Sequence, residues 1–138
     1  MKIDPYHVEV SKKQFEAILD RSLSVLERRL KSTIKNVAVV AEDVVPEKVV
    51  REMHLQTNLG LLGLYSGSPL AHREYDAAVS LPDVVTVFRL PCIMEAKESG
   101  TSIEEVVYET LWHEIGHHLG LDENGVVRKE KEGKNKNK

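Results

Sequence analysis

The stretch His113-Glu114-Ile115-Gly116-His117 constrains the fold more than any other part of the chain. Residues four apart on an α-helix are separated by about 40° around the axis and about 6 Å along it, so the two histidines project side by side from one face. The spacing predicts a helix whose other side packs on a core. Gly100-Thr101-Ser102 offers its start, with Thr101 and Glu104, or Ser102 and Glu105, as a capping box. Gly120 is its expected stop.

The rest of the chain must build that core. Ser11 and Gln14 form a capping box, and Val10 and Phe15 stand at the spacing of a hydrophobic staple. Phe15, Ile18, Leu19, Leu26 and Leu30 then recur at helical spacing, which predicts one amphipathic helix to about Lys31. Val37 to Ala41, Leu61 to Tyr65 and Val84 to Phe88 are short apolar runs bounded by turn residues, and each predicts a strand. A short helix fits Pro46 to Met53, since Pro suits a first helical turn. With 138 residues, 41% of them hydrophobic, the chain can bury one core but not two. We expect a single domain over residues 1–124 and a charged, disordered tail over 125–138.

Composition also excludes function classes. The net charge is -3 and no basic surface is concentrated, so no nucleic-acid partner is expected. Cys92 is the only cysteine, so no internal disulfide can form. The first seven residues are polar and no window reaches the length of a membrane span, which points to a cytoplasmic protein without a membrane partner. Cys92 is expected to pack as a small hydrophobe.

Two imidazoles on one helical face can share an ion. Neutral imidazole nitrogens suit Zn²⁺, and a hydrolytic site takes three protein ligands while leaving a fourth position for water. A left-handed turn at Gly120 would bring the chain back beneath the ion and deliver Asp122 and Glu123 as sources of the third ligand. Glu114, beside the first ligand, has the place of a general base. It would take a proton from water activated by the zinc as that water attacks a carbonyl, then pass it to the leaving amine. The competing reading makes His113 and His117 ordinary surface histidines. The helical context, the two glycines and the carboxylates downstream favour the metal.

Other polar residues receive lesser roles. His118 is turned about 100° from His117 and is expected to pack or to support a ligand. His54 and His72 are expected as loop histidines, and Glu109 as a solvated charge able to orient a ligand. Tyr65, Tyr75 and Tyr108 could donate to a tetrahedral oxyanion, with packing the better expectation for each.

Taken together, His113-Glu114-Ile115-Gly116-His117-His118-Leu119-Gly120-Leu121-Asp122-Glu123 resembles the metzincin signature HExxHxxGxx(H/D). It resembles still more the bacterial zincin-like minimal metallopeptidases. Gly63 to Leu70, Leu81-Pro82-Asp83, Phe88 to Pro91 and Trp112 to Ile115 also look like segments of that family, so the resemblance covers roughly residues 35–124. It implies an α+β fold, a small zincin-like domain in which a mixed three- to four-stranded sheet is flanked by an N-terminal helix and a C-terminal active-site helix. It implies zinc held by His113, His117 and an acidic residue, with Glu114 as base and a peptide or protein as substrate. Glu123 stands in the third-ligand position, with Asp122 as the alternative. In zincins the substrate lies as an added strand along a sheet edge, and Val84 to Phe88 is the edge expected here. Two other readings compete: a non-catalytic metal-binding or interaction module, and a zinc hydrolase of another substrate such as RNA. Bacterial zinc ribonucleases space three ligands like 113, 117 and 123 but usually lack the adjacent glutamate and carry basic surface.

Overall fold

The structure, a computed structural model, describes residues 10–31, 34, 37–67 and 83–119, with only the backbone of residues 118 and 119. The first helix, α1 (Lys12–Leu30), opens as its sequence predicts. Ser11 Oγ accepts from the Gln14 amide at 3.1 Å, and Gln14 Oε1 accepts from the Ser11 amide at 2.8 Å, which satisfies two amides that a helix start leaves without partners. Lys31 closes the helix in the left-handed conformation, at φ 58°. Phe15, Ile18, Leu19 and Leu26 are buried, and Val10 packs against the same core.

Three strands follow in a mixed sheet of order β1-β3-β2: β1 (Val37–Glu42), β2 (Gly63–Ser66) and β3 (Asp83–Phe88). β1 runs parallel to β3, with Val37 opposite Asp83, and β2 runs antiparallel to it, with Gly63 opposite Val87. The expectation that Val84 to Phe88 is a sheet edge is therefore wrong, because β3 is the central strand. The physical reason is in its composition. Val84-Val85-Thr86-Val87-Phe88 is a nearly continuous apolar run with Val85, Val87 and Phe88 buried, which suits a strand with neighbours on both sides. The edge strands among the described residues are β1 and β2.

The short helix α2 (Glu47–Glu52) follows Pro46, which stands at its N-cap. Between β3 and the last helix runs α3 (Arg89–Ser99), which sequence reasoning missed. Pro91 reads as a break, but it is the third residue of the helix, where a missing amide proton costs nothing because the first four amides have no partner within the helix. Gly100, at φ 74°, ends α3 in a conformation that a side chain disfavours. The chain then enters α4 (Ile103–Leu119), packed against α1, α3 and the sheet. No helix of the described residues is long and apolar enough to cross a membrane.

The core lies between the sheet and the α1–α4 pair. Val107, Leu111 and Ile115, each four residues apart on α4, are fully buried with Phe15, Leu26, Val85 and Val87. Truncating Leu111 or Ile115 to Ala would cost on the order of 2–5 kcal/mol. That buried stripe fixes the rotation of α4, and so decides which of its residues face outward.

Candidate metal centre

Helix α4 starts where Ser102 Oγ accepts from the Glu105 amide at 3.0 Å, so Ser102 is the residue of the Gly100-Thr101-Ser102 group that caps it. Glu104 and Glu105 in the first turn complement the partial positive charge there. Because Val107, Leu111 and Ile115 are committed to the core, His113 and His117 are left on the exposed side, while Glu114 is half-buried.

The two imidazoles stand together as the i, i+4 spacing requires, with ring centroids 5.9 Å apart and planes at 85°. Two exposed imidazoles, unencumbered by the core and aimed from one face, are a donor pair that suits Zn²⁺. Among the described residues no third His, Cys, Asp or Glu joins them in a group able to hold an ion. Asp122 and Glu123, the expected sources of the third ligand, lie outside the described residues, as do His72, Tyr75, Gly120, the tail and the side chain of His118.

Glu114 faces the start of β2. A methyl placed on Gly63 would lie 2.6 Å from Thr110 Cγ2 and 3.5 Å from Glu114 Cγ, so the strand rests on α4 at the turn that carries the glutamate. Thr110 is buried, and its hydroxyl donates to the Val106 carbonyl at 2.8 Å. Sequence reasoning gave Gly63 and Thr110 no part in the site. The available signal was an isolated glycine inside a strand pattern, which marks close backbone approach.

A cleft of about 380 Å³ runs from His113 between α3 and α4, floored by Leu62 and Val106 and bordered by Glu95, Glu105 and Glu109. Glu109, one turn before His113, is exposed on this border. The Tyr65 hydroxyl donates to Asp83 Oδ2 at 2.8 Å and ties β2 to β3. Tyr108 stacks beside Trp112 at 6.5 Å and accepts from Arg29 Nη1 at 3.1 Å. His54 is an exposed residue just beyond α2, with φ 56°. Cys92 is buried and donates through sulfur to the Leu62 carbonyl at 3.8 Å.

The sequence model of one protein family, described as zincin-like metallopeptidase, matches residues 34–132. Comparison with curated proteins returns no match. The matched span includes all three strands, the His113–His117 stretch, Asp122 and Glu123.

Proposed function

The chain belongs to the zincin-like metallopeptidase family, and from that premise we propose that it hydrolyses peptide bonds with zinc held by His113, His117 and Glu123, and with Glu114 as general base. Asp122 is the alternative third ligand. The observation that carries this reading is the pair of imidazoles 5.9 Å apart on the open face of α4, with Glu114 between them in sequence and half-buried against β2. The whole of residues 1–124 is one catalytic domain in this reading, and 125–138 is a solvating tail.

Zinc held by these residues would supply Lewis-acid chemistry and a water whose pKa is lowered toward about 7. The protein's own contribution is proton transfer and position. The Glu114 carboxylate accepts a proton from the attacking water and returns it to the nitrogen of the leaving amine, so that the amine departs neutral. The start of β2 at Gly63 lies close to Glu114 Cγ and borders the space open to that side chain.

With β3 in the centre of the sheet, a peptide would lie along β2. The Phe88 amide donates to the Leu62 carbonyl at 2.9 Å, so Leu62 turns its backbone toward β3. Backbone groups alternate along an antiparallel pair, so those of Gly63 and Tyr65 face away from β3, toward a side where no described strand pairs with β2. A substrate strand added there would be read through its main chain, beside Glu114.

Zinc per chain, measured by elemental analysis on protein purified without added metal, tests the ligands. About one zinc is expected, lost in His113→Ala and His117→Ala and in one of Asp122→Ala or Glu123→Ala. Glu114→Gln should keep the metal and lose cleavage of a peptide library by roughly 10²–10⁴-fold. Cleavage that survives in Glu114→Gln would remove this base from the reaction, and a zinc-free wild type would favour an interaction module.

A further inference from the structure

The contact between β2 and α4 leaves no room for a side chain at Gly63. A methyl at Gly63 would lie 2.6 Å from Thr110 Cγ2 and 3.3 Å from the Thr86 carbonyl oxygen, so every larger residue is excluded unless something moves. What can move is limited on the strand side. The Leu62 carbonyl, one residue before Gly63, accepts from both the Phe88 amide at 2.9 Å and the Cys92 sulfur at 3.8 Å. These bonds hold the start of β2 to the central strand and to α3.

The Thr110 methyl has little freedom either. Its hydroxyl donates to the Val106 carbonyl one turn back and also lies beside the Cys92 thiol, and Thr110 is buried, so turning the methyl aside would disturb both contacts. Any added volume at Gly63 therefore falls on the stretch of α4 that carries Thr110 and Glu114. The side chain next in line is Glu114, one helical turn beyond Thr110, whose Cγ would lie 3.5 Å from the same added methyl.

We propose that Gly63 is a positioning residue for Glu114, setting through Thr110 the distance between the edge of β2 and the general base. This rests on the reading of Glu114 given above. The glycine's role is to be small: without a side chain, the start of β2 can lie close against the turn of α4 that carries Glu114. Loss of that spacing displaces the base from the reacting bond while leaving His113 and His117, on the exposed side of the helix, free to hold zinc.

The test compares wild type, Gly63→Ala, Thr110→Ser and the double variant, because serine keeps the bond to Val106 and deletes only the methyl. Zinc-loaded Gly63→Ala should bind as much zinc as wild type while kcat falls about tenfold or more, as a displacement of around 1 Å can cause. Thr110→Ser in that background should restore most of the loss. A Gly63→Ala enzyme within about twofold of wild type, or a loss that Thr110→Ser leaves untouched, overturns the proposal. Should Gly63→Ala fail to fold, the double variant decides: folded, zinc-loaded and active supports the role, whereas folded, zinc-loaded and inactive refutes it. A readout independent of activity is the nuclear Overhauser contact from the Gly63 α-protons to the Thr110 methyl and Glu114 γ-protons in wild type, whose absence overturns the geometry. Glu114→Gln in the same assay separates this inference from its premise. If that variant cleaves normally, the base assignment falls; if it is inactive while Gly63→Ala is unaffected, only the positioning role falls.

Discussion

The Arg29 guanidinium lies 4.2 Å from the centroid of the Trp112 ring, joining the last turn of α1 to the residue immediately before His113. The same guanidinium donates to the Tyr108 hydroxyl one turn back on α4, so one side chain spans two aromatic residues of the helix that carries the histidines. At a solvent-facing position such a cation–π contact is worth about 0.5–1 kcal/mol, and the hydrogen bond adds a similar amount. We expect Arg29→Ala to lower stability by about 1 kcal/mol. Arg29→Lys should recover only part of this, since an ammonium keeps the charge but not the flat face. Trp112 is the only tryptophan, so its emission during urea unfolding reports both the contact and the stability. Equal unfolding midpoints for Arg29→Ala and wild type would show that the stack contributes nothing.

Metal removal should be visible as a loss of stability. A ligand that binds only the folded chain stabilises it by about 2.7 kcal/mol at a free concentration of 100 times its Kd. Protein treated with chelator is therefore expected to melt at lower temperature, with the difference restored by zinc and absent in His113→Ala and His117→Ala. Differential scanning calorimetry with and without zinc makes the comparison. A zinc-dependent rise of undiminished size in both histidine variants would place the ion elsewhere.

The fold was legible where local chemistry determines structure. Ser11 with Gln14 marks the start of α1, and the i, i+4 spacing of His113 and His117 marks both the last helix and its exposed face. Two features were misread for physical reasons. Helix α3 was not expected, yet Pro91 sits in its first turn, where a missing donor is harmless. Val84 to Phe88 was taken for an edge, although so continuous an apolar run suits a strand paired on both sides. The contact of Gly63 with Thr110 and Glu114 joins residues some fifty positions apart, and no periodicity within either segment encodes it. A glycine inside an apolar run was the only local trace.

The Asp43–Arg89 pair should make stability depend on acid. Arg89 Nε donates to Asp43 Oδ1 at 2.8 Å and its Nη1 donates to the Val10 carbonyl at 2.7 Å, so one side chain links the end of β1, the start of α3 and the approach to α1. The hydrogen bond from Arg89 is the largest influence on the Asp43 carboxyl and, with the charges of Arg89 and Lys12, holds it below its ordinary 3.8 against a smaller opposing effect of burial. A carboxyl whose value is depressed in the folded state adds stability above its unfolded value and loses it as pH falls through the folded one. Asp43→Asn should therefore weaken the protein at pH 7 and match wild type once the solution is acid enough to protonate Asp43. Because the Asp43 side chain is 49% exposed, salt should shrink the difference. Urea midpoints across pH 2–7 at two ionic strengths test this, and a difference between the chains that persists unchanged at the acid end would refute it.

Cys92 should be silent at neutral pH and costly in alkali. Burial pushes its thiol from an ordinary 9.0 up to about 12, outweighing the Thr110 hydrogen bond that favours the thiolate, and the nearby charge of Glu95 acts in the same direction as burial. A thiolate is the reactive form, so the native protein should resist thiol-specific reagents at pH 8, and one thiol should become reactive on unfolding. The sign for stability is opposite to that of Asp43. Here the folded value is raised, so the contribution is complete below about 9 and declines as pH rises toward about 12, because the unfolded chain gives up its proton first. Cys92→Ala should flatten the alkaline decline while lowering stability at neutral pH through the volume removed beneath Leu62 and Thr110. Rapid labelling of the native protein at pH 8 would show that α3 opens far more readily than its packing against Leu62 allows.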